Sequence, residues 1–169
     1  MSDFIKLDPK DFDQNPFTLI GKQWMLITAK NGDKVNAMTA SWGGLGVMWN
    51  KNVAYVVIRP QRYTKEFVDA SDSFSLCFLG EDYRKTLNYF GTVSGRDEDK
   101  IKEKGLTVLE NSDIPYFEES EIVIFCKKLF RQHLTEDSFI DLSFNKTFYP
   151  NSDHHYLYIS EITEILKKG

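Results

Sequence analysis

Cysteine is scarce in this chain: Cys77 and Cys126 are the only two in 169 residues. Each sits inside an apolar run, residues 74–78 and 122–126, which predicts two buried reduced thiols rather than a disulfide framework. A bridge would require those two runs to be neighbours. Histidine is nearly as rare, with His133, His154 and His155. Adjacent residues on a strand point to opposite faces, so His154 and His155 cannot share one ion. His133 has no cysteine or carboxylate at ligand spacing, and no metal site is expected. Uninterrupted apolar sequence of membrane-spanning length is missing. Residues 1–6 lack the basic start and apolar stretch of a signal peptide, so the expectation is a cytoplasmic protein with no membrane partner. Repeats, low-complexity tracts and linkers rich in Pro, Gly or Ser are missing too, which predicts one domain over residues 1–169. There is no Gly-x-Gly-x-x-Gly after a strand, and the spacing in Trp42-Gly43-Gly44-Leu45-Gly46 is wrong for a dinucleotide fingerprint. Neither Ser41 nor Ser94 lies in a Gly-x-Ser-x-Gly elbow, and no catalytic acid, base or nucleophile is nominated. A net charge of −4 gives no footprint for nucleic acid.

What is abundant is apolar and aromatic. Hydrophobic residues make up 41% and aromatics 14%, with Phe contributing 13 residues, enough for a sizeable core and biased towards strands. Strand-like runs occur at 24–29, 35–42, 52–58, 74–78, 121–130 and 156–166, the first two joined by a turn at Asn31-Gly32-Asp33. In the last run Tyr156, Tyr158, Ile162 and Ile165 do not alternate cleanly. Helices are fewer. Thr64 is placed to cap one over 65–70, Asp82 to cap one ended by Gly91, and a third is expected between Asp97 and Gly105. About six strands with short helices between them predict a mainly β fold, a small antiparallel barrel with peripheral helices.

Three segments carry chemistry. In the stretch from Asn36 to Gly44, the small residues Ala37, Ala40, Gly43 and Gly44 let a flat ligand approach the backbone. Thr39 and Ser41 add hydroxyls there, and Trp42 adds an apolar plane. An ordinary strand ending in a glycine turn would look the same. Residues 59–65 place Arg59, Arg62 and Lys65 before a helix start, where amides, dipole and guanidinium all favour an anion. A solvated basic turn is the competing reading. Residues 94–100 place Arg96 and Lys100 near Ser94 and Asp97, whose spacing also fits plain helix initiation.

In this order the segments resemble the flavin reductase-like family of FMN-binding split barrels. The resemblance runs through 38–42, 58–64 and 91–97 with Lys100, and closes with Asp153-His154-His155-Tyr156 and residues 159–162. It implies a six-stranded antiparallel Greek-key barrel and a homodimer holding FMN near the subunit interface. By that resemblance Met38, Thr39, Ala40, Ser41 and Trp42 line the ring, and Arg59, Arg62, Tyr63 and Thr64 serve the ribityl chain and phosphate. Ser94, Gly95, Arg96, Asp97 and Lys100 close the pocket, with Arg96 or Lys100 supplying positive charge beside the reduced ring, and His155 sits near the flavin. Relatives often carry Cys where this chain has Phe90 and Pro where it has Asn52, so a thiol-dependent role at the first position is excluded. The implied activity is NAD(P)H-dependent transfer of electrons through FMN to a flavin, ferric or protein acceptor. A non-enzymatic FMN electron carrier is the alternative.

Overall fold

The computed structural model describes residues 3–169. Ten strands form: β1 (Phe4–Leu7), β2 (Met25–Asn31), β3 (Lys34–Ala40), β4 (Gly43–Met48), β5 (Lys51–Ile58), β6 (Ser73–Leu79), β7 (Val108–Asn111), β8 (Ile114–Phe117), β9 (Ser120–His133) and β10 (Tyr156–Lys168). Five short α-helices lie between them: α1 (Pro16–Thr18), α2 (Tyr63–Ala70), α3 (Arg84–Thr92), α4 (Lys100–Lys104) and α5 (Leu142–Phe148).

Antiparallel pairing runs in the order β3-β2-β6-β9-β10-β5-β4, with β1 added to β10 and β7–β8 a separate hairpin. The two ends of that path, β3 and β4, are joined in sequence by Ser41 and Trp42 alone. A sheet whose opposite edges lie two residues apart must roll up, yet the edges do not pair with each other. The barrel is therefore split at the Ser41–Trp42 corner.

Rolling the sheet makes two cores. Inside it, Met25, Ile27, Met38, Val56, Ile58, Phe74, Leu76, Phe78, Ile124, Cys126 and Tyr158 pack together, with Phe67 and Val68 of α2 against them. These strand residues come from β2, β3, β5, β6, β9 and β10, so the expected six strands build the barrel and the others are additions. On the outer face of β2, β6 and β9, Leu26, Cys77, Leu79, Val123 and Phe125 are covered by Leu87 and Phe90 of α3 and by Tyr116 and Phe117 of β8. Burying each large apolar side chain is worth about 1.5–3 kcal/mol. The cysteine runs are neighbours after all, in β6 and β9, but Cys77 lies opposite Val123 and Cys126 opposite Phe74. Their side chains enter opposite cores and both remain free thiols.

The irregular pattern of the last strand has a cause. Register shifts between Ile159 and Ser160 and between Ile162 and Glu164 interrupt its pairing with β9. The first shift adds Leu129 to β9 and leaves β10 regular; the second adds Thr163 to β10 and flips its alternation once, which is how Tyr158 and Ile165, seven apart, both face the inner core.

Several helix expectations need correction. Arg62, not Thr64, holds the cap position of α2, without a side-chain cap bond, and Thr64 is already inside the helix. A 3-10 turn at Glu81–Tyr83 precedes α3, which continues through Gly91 to Thr92. The third helix is only Lys100–Lys104, capped by the Asp99 side chain and ended by Gly105 at φ +65°. Ser94 and Asp97 form a turn rather than a capping box, with the Ser94 hydroxyl accepting the Arg96 N–H at 3.1 Å.

Candidate functional site

The split corner of the barrel and the loops around it enclose two small cavities that meet at Arg62. The first, about 220 Å³, is lined by Met38, Thr39, Ala40, Ser41, Trp42, Val57, Arg59, Arg62 and His155. Alternation along β3 buries Met38 in the inner core and turns Thr39 outward, where its hydroxyl donates to the Leu87 carbonyl of α3 at 2.5 Å. Trp42 packs edge-on against Phe148 and at a tilt against His155, each at 5.3 Å between centroids. His155 is buried, and its Nδ1 is 2.7 Å from the Tyr149 hydroxyl. Burial, and then the Arg59 guanidinium, push its pKa down to about 4, so at neutral pH the imidazole is uncharged.

The second cavity, about 170 Å³, is lined by Asn36, Gln61, Arg62, Tyr63, Thr64, Thr92, Val93, Ser94, Gly95 and Lys100. Here β3, the start of α2 and the turn after α3 converge. The Asn36 amide donates to the Thr64 hydroxyl at 2.9 Å and ties strand to helix. Gly95 lies so close that a Cβ would come within 2.3 Å of Asn36 Oδ1 and 3.1 Å of the Tyr63 ring. Only glycine fits this turn against the cavity wall.

The cations decide what this site can hold. Arg59 is committed to Asp153 at 2.9 Å and to the Phe148 carbonyl at 3.0 Å. Lys65 pairs with Asp69 at 2.6 Å, and Arg96 with Glu66 at 2.9 Å. Arg62 and Lys100 are different. Arg62 donates to the carbonyls of Gly91 at 3.1 Å and Phe90 at 3.4 Å, and Lys100 to those of Ala37 at 2.8 Å and Phe90 at 3.2 Å. Neither pairs with a carboxylate among the described residues. Lys100 is only 3% exposed, and burial together with the Arg62 charge lowers its pKa to about 8. Burial lowers the Arg62 pKa as well. Two partly desolvated cations that share the Phe90 carbonyl near the end of α3, beside the first turn of α2, are chemically suited to receive an anion.

The segments read from sequence thus assemble, with exceptions. Arg96 and Asp97 line a separate, wider cleft of about 800 Å³ that shares Asn36, Tyr63, Gly95 and Lys100 with the anion cavity. Arg96 stacks 4.5 Å over Tyr63 and pairs with Glu66 at 2.9 Å, and Lys100 lines the anion cavity rather than the ring cavity. Phe90 points its side chain into the outer core, with the Lys100 ammonium 5.0 Å from its ring centroid, and its carbonyl accepts from Lys100. Asn36, Val57, Gln61 and Thr92 border the cavities without having been singled out. A buried Asn within an apolar strand was the one sequence signal available, since strands are depleted in Asn.

The sequence model for the flavin reductase like domain matches residues 18–167. The chain belongs to that family. Solved structures agree on the fold. An FMN-binding domain of a flavin reductases-like enzyme from Shewanella baltica superposes with a TM-score of 0.72 at 17% identity, over 99% of this chain and 78% of that one. Flavoredoxin from Methanosarcina acetivorans gives 0.67 at 21% identity, over 85% and 67%. An FMN-binding protein from Thermus thermophilus, solved with bound p-hydroxybenzaldehyde, gives 0.65 at 17% identity, over 94% and 76%. A comparison with curated proteins finds no match. The fold is the flavin reductase-like split barrel, and no helix among the described residues is long and apolar enough to cross a membrane.

An internal comparison separates anion binding from surface charge in this family member. Arg62→Ala and Thr64→Ala are each expected to weaken FMN binding at least tenfold, whereas Arg131→Ala, whose partner is Asp69 at 3.5 Å, leaves it unchanged. Fluorescence titration with FMN checks this, and equal affinities in all three variants would remove the anion site.

Proposed function

We propose that the chain binds FMN, with the phosphate between Arg62 and Lys100 and the ring in the cavity of Met38 to Trp42, and works as an NAD(P)H-dependent flavin reductase-type oxidoreductase. The observation that carries this reading is the buried Lys100 beside the half-buried Arg62, neither paired with a carboxylate among the described residues, adjoining a cavity walled by Trp42, Val57 and His155. A phosphate monoester supplies the missing negative charge, and the Gly95 turn leaves room for it beside Thr64. When bound, FMN supplies the hydride- and electron-accepting chemistry. The chain's own residues bind, orient and tune it: Lys100 and Arg62 hold the phosphate end, Trp42 and Val57 exclude water from the ring, and Arg59 fixes the 148–153 loop over the cavity.

The working unit in this reading is a homodimer. Helices and the β7–β8 hairpin cover the outer face of β2, β6 and β9, whereas among the described residues large apolar side chains on the outer face of β5 and β9 are left exposed. Register places Gly44, Tyr55, Ile159 and Phe130 in one row across β4, β5, β10 and β9. Tyr55 and Phe130 are exposed there, as are Val47, Met48 and Trp49 at the β4–β5 hairpin. Outward-facing Val57 continues this face into the ring cavity, and the exposed Phe148 of α5 packs on Trp42 of its wall, with the exposed Phe144 stacked on Phe148. An apolar surface of this kind favours a second copy of the chain, which would complete the ring site.

An electron-carrier role is the second reading, favoured by the likeness to a structure named flavoredoxin. One experiment separates the two. After loading with FMN, anaerobic NADH and NADPH are added and the flavin absorbance followed. Bleaching by either nucleotide is the expected result. Bands that persist until dithionite is added identify a carrier, and failure to bind FMN rejects both readings.

A further inference from the structure

Next to the ring cavity, one hydrogen bond sets the chemistry of a buried imidazole. Tyr149 closes the C-terminal end of α5 and is itself buried, with its ring stacked on His154 at 4.5 Å and the Arg59 guanidinium 5.1 Å from its centroid. Its hydroxyl lies 2.7 Å from His155 Nδ1. No other acceptor for that O–H exists among the described residues, and the backbone N–H of His155 also approaches the hydroxyl oxygen. The phenolic proton therefore lies on the line to Nδ1, which must be the unprotonated nitrogen. A proton on Nδ1 instead would leave the buried phenol's own proton without a partner. Nε2 carries the remaining proton of the neutral ring, and no protein group among the described residues receives it.

We infer that Tyr149 is a positioning residue that fixes His155 as a neutral Nε2–H donor facing the ring cavity, there to meet an acceptor atom of a heteroaromatic ligand. This inference rests on the flavin reading for the identity of that ligand, but the tautomer itself does not. The surroundings support a donor that keeps its charge state. Arg59, paired with Asp153, opposes a positive imidazole, and Asp153 is the acidic group that favours one. His154 turns away, its Nε2 2.6 Å from Asn145 Oδ1, and Arg62 lies across the cavity. A donor aimed at an acceptor that gains electron density on reduction binds the reduced ring better than the oxidised one, without adding an ionisable charge.

The test uses Tyr149→Phe, which keeps the ring and its packing, together with His155→Phe and the double variant. In the ligand-free wild-type protein, ¹⁵N side-chain spectra should show His155 as the single Nε2–H tautomer from pH 5 to 9. In Tyr149→Phe the two tautomers should mix. With FMN bound, the preference for reduced over oxidised flavin, read from the midpoint potential, should fall about five- to tenfold in His155→Phe and about twofold in Tyr149→Phe, where the flavin ring still selects the Nε2–H tautomer from the mixture. The double variant should fall no further than His155→Phe. An Nδ1–H or imidazolium signal in the wild type at pH 7 overturns the inference without needing any variant to fold. Additive effects in the double variant overturn it equally. If FMN fails to bind while the tautomer is as stated, the flavin reading fails and the Tyr149–His155 device stands.

Discussion

Lys100→Met should weaken FMN binding by about thirty- to a thousandfold, more than any other single change in the anion cavity. Methionine preserves the length and apolar stem of a side chain that is almost fully buried, so packing is retained while the charge is lost. Arg62 alone would then face the phosphate. The same residue makes binding depend on pH in a stated direction. Burial and Arg62 hold the ammonium pKa near 8 in the ligand-free protein, against 10.5 for a free lysine. A bound dianion needs the protonated form, so FMN affinity should fall as pH rises above about 8, by up to about tenfold per unit. Stability of the ligand-free protein moves the other way. Between about pH 8 and 10.5 the unfolded chain keeps a proton that the folded chain has released, so this group's contribution to stability increases with pH across that window. Titration with FMN at pH 7, 8 and 9 reads the first effect. Lys100→Met should be flat over that range, and a wild-type affinity that does not change with pH would show that Lys100 does not bind the phosphate.

The barrel strands were legible because their apolar residues alternate or run together between recognisable turns. What escaped was structure whose signals point elsewhere. β4 begins Gly43-Gly44-Leu45-Gly46, which reads as a turn, but Gly44 is glycine because the Tyr55 ring fills the place of a Cβ, 2.3 Å away. Its hairpin turns at Trp49 and Asn50, with φ of 53° and 57°, and the β7–β8 hairpin at Ser112 and Asp113, with 50° and 67°. Such turns normally advertise themselves by glycine, and none is present at these four positions. The site shows a different limit. Positive residues clustered in sequence marked a candidate anion site as a neighbourhood, yet which of them pair with a carboxylate is set by Glu66, Asp69 and Asp153. Asp153 lies 94 residues from Arg59, and Glu66 lies 30 from Arg96. Only the fold shows that Arg59, Lys65 and Arg96 are paired with these carboxylates, whereas Arg62 and Lys100 donate to backbone carbonyls. Tyr149 gave no signal at all, because its partner is a histidine six residues away across a loop.

Charge placed on the uncovered face of the barrel should separate the subunits and empty the site together. Tyr55 and Phe130 stand in one register row on the outside of the sheet and contribute nothing to either core, so Tyr55→Glu with Phe130→Glu should leave the fold and thermal stability of the subunit close to wild type. Across a symmetric interface each introduced carboxylate is duplicated, and four desolvated charges on one apolar patch are incompatible with association. The expected result in sizing with light scattering is a drop from twice the 19.6 kDa chain mass to the chain mass itself. FMN affinity should fall at least tenfold in the same variant, although neither residue borders the ring or anion cavity, because Val57 connects the face to the ring site. A monomeric variant that keeps full FMN affinity would place the whole site within one chain. A wild-type protein that is already monomeric would leave the apolar row on β4, β5, β10 and β9 to a different partner.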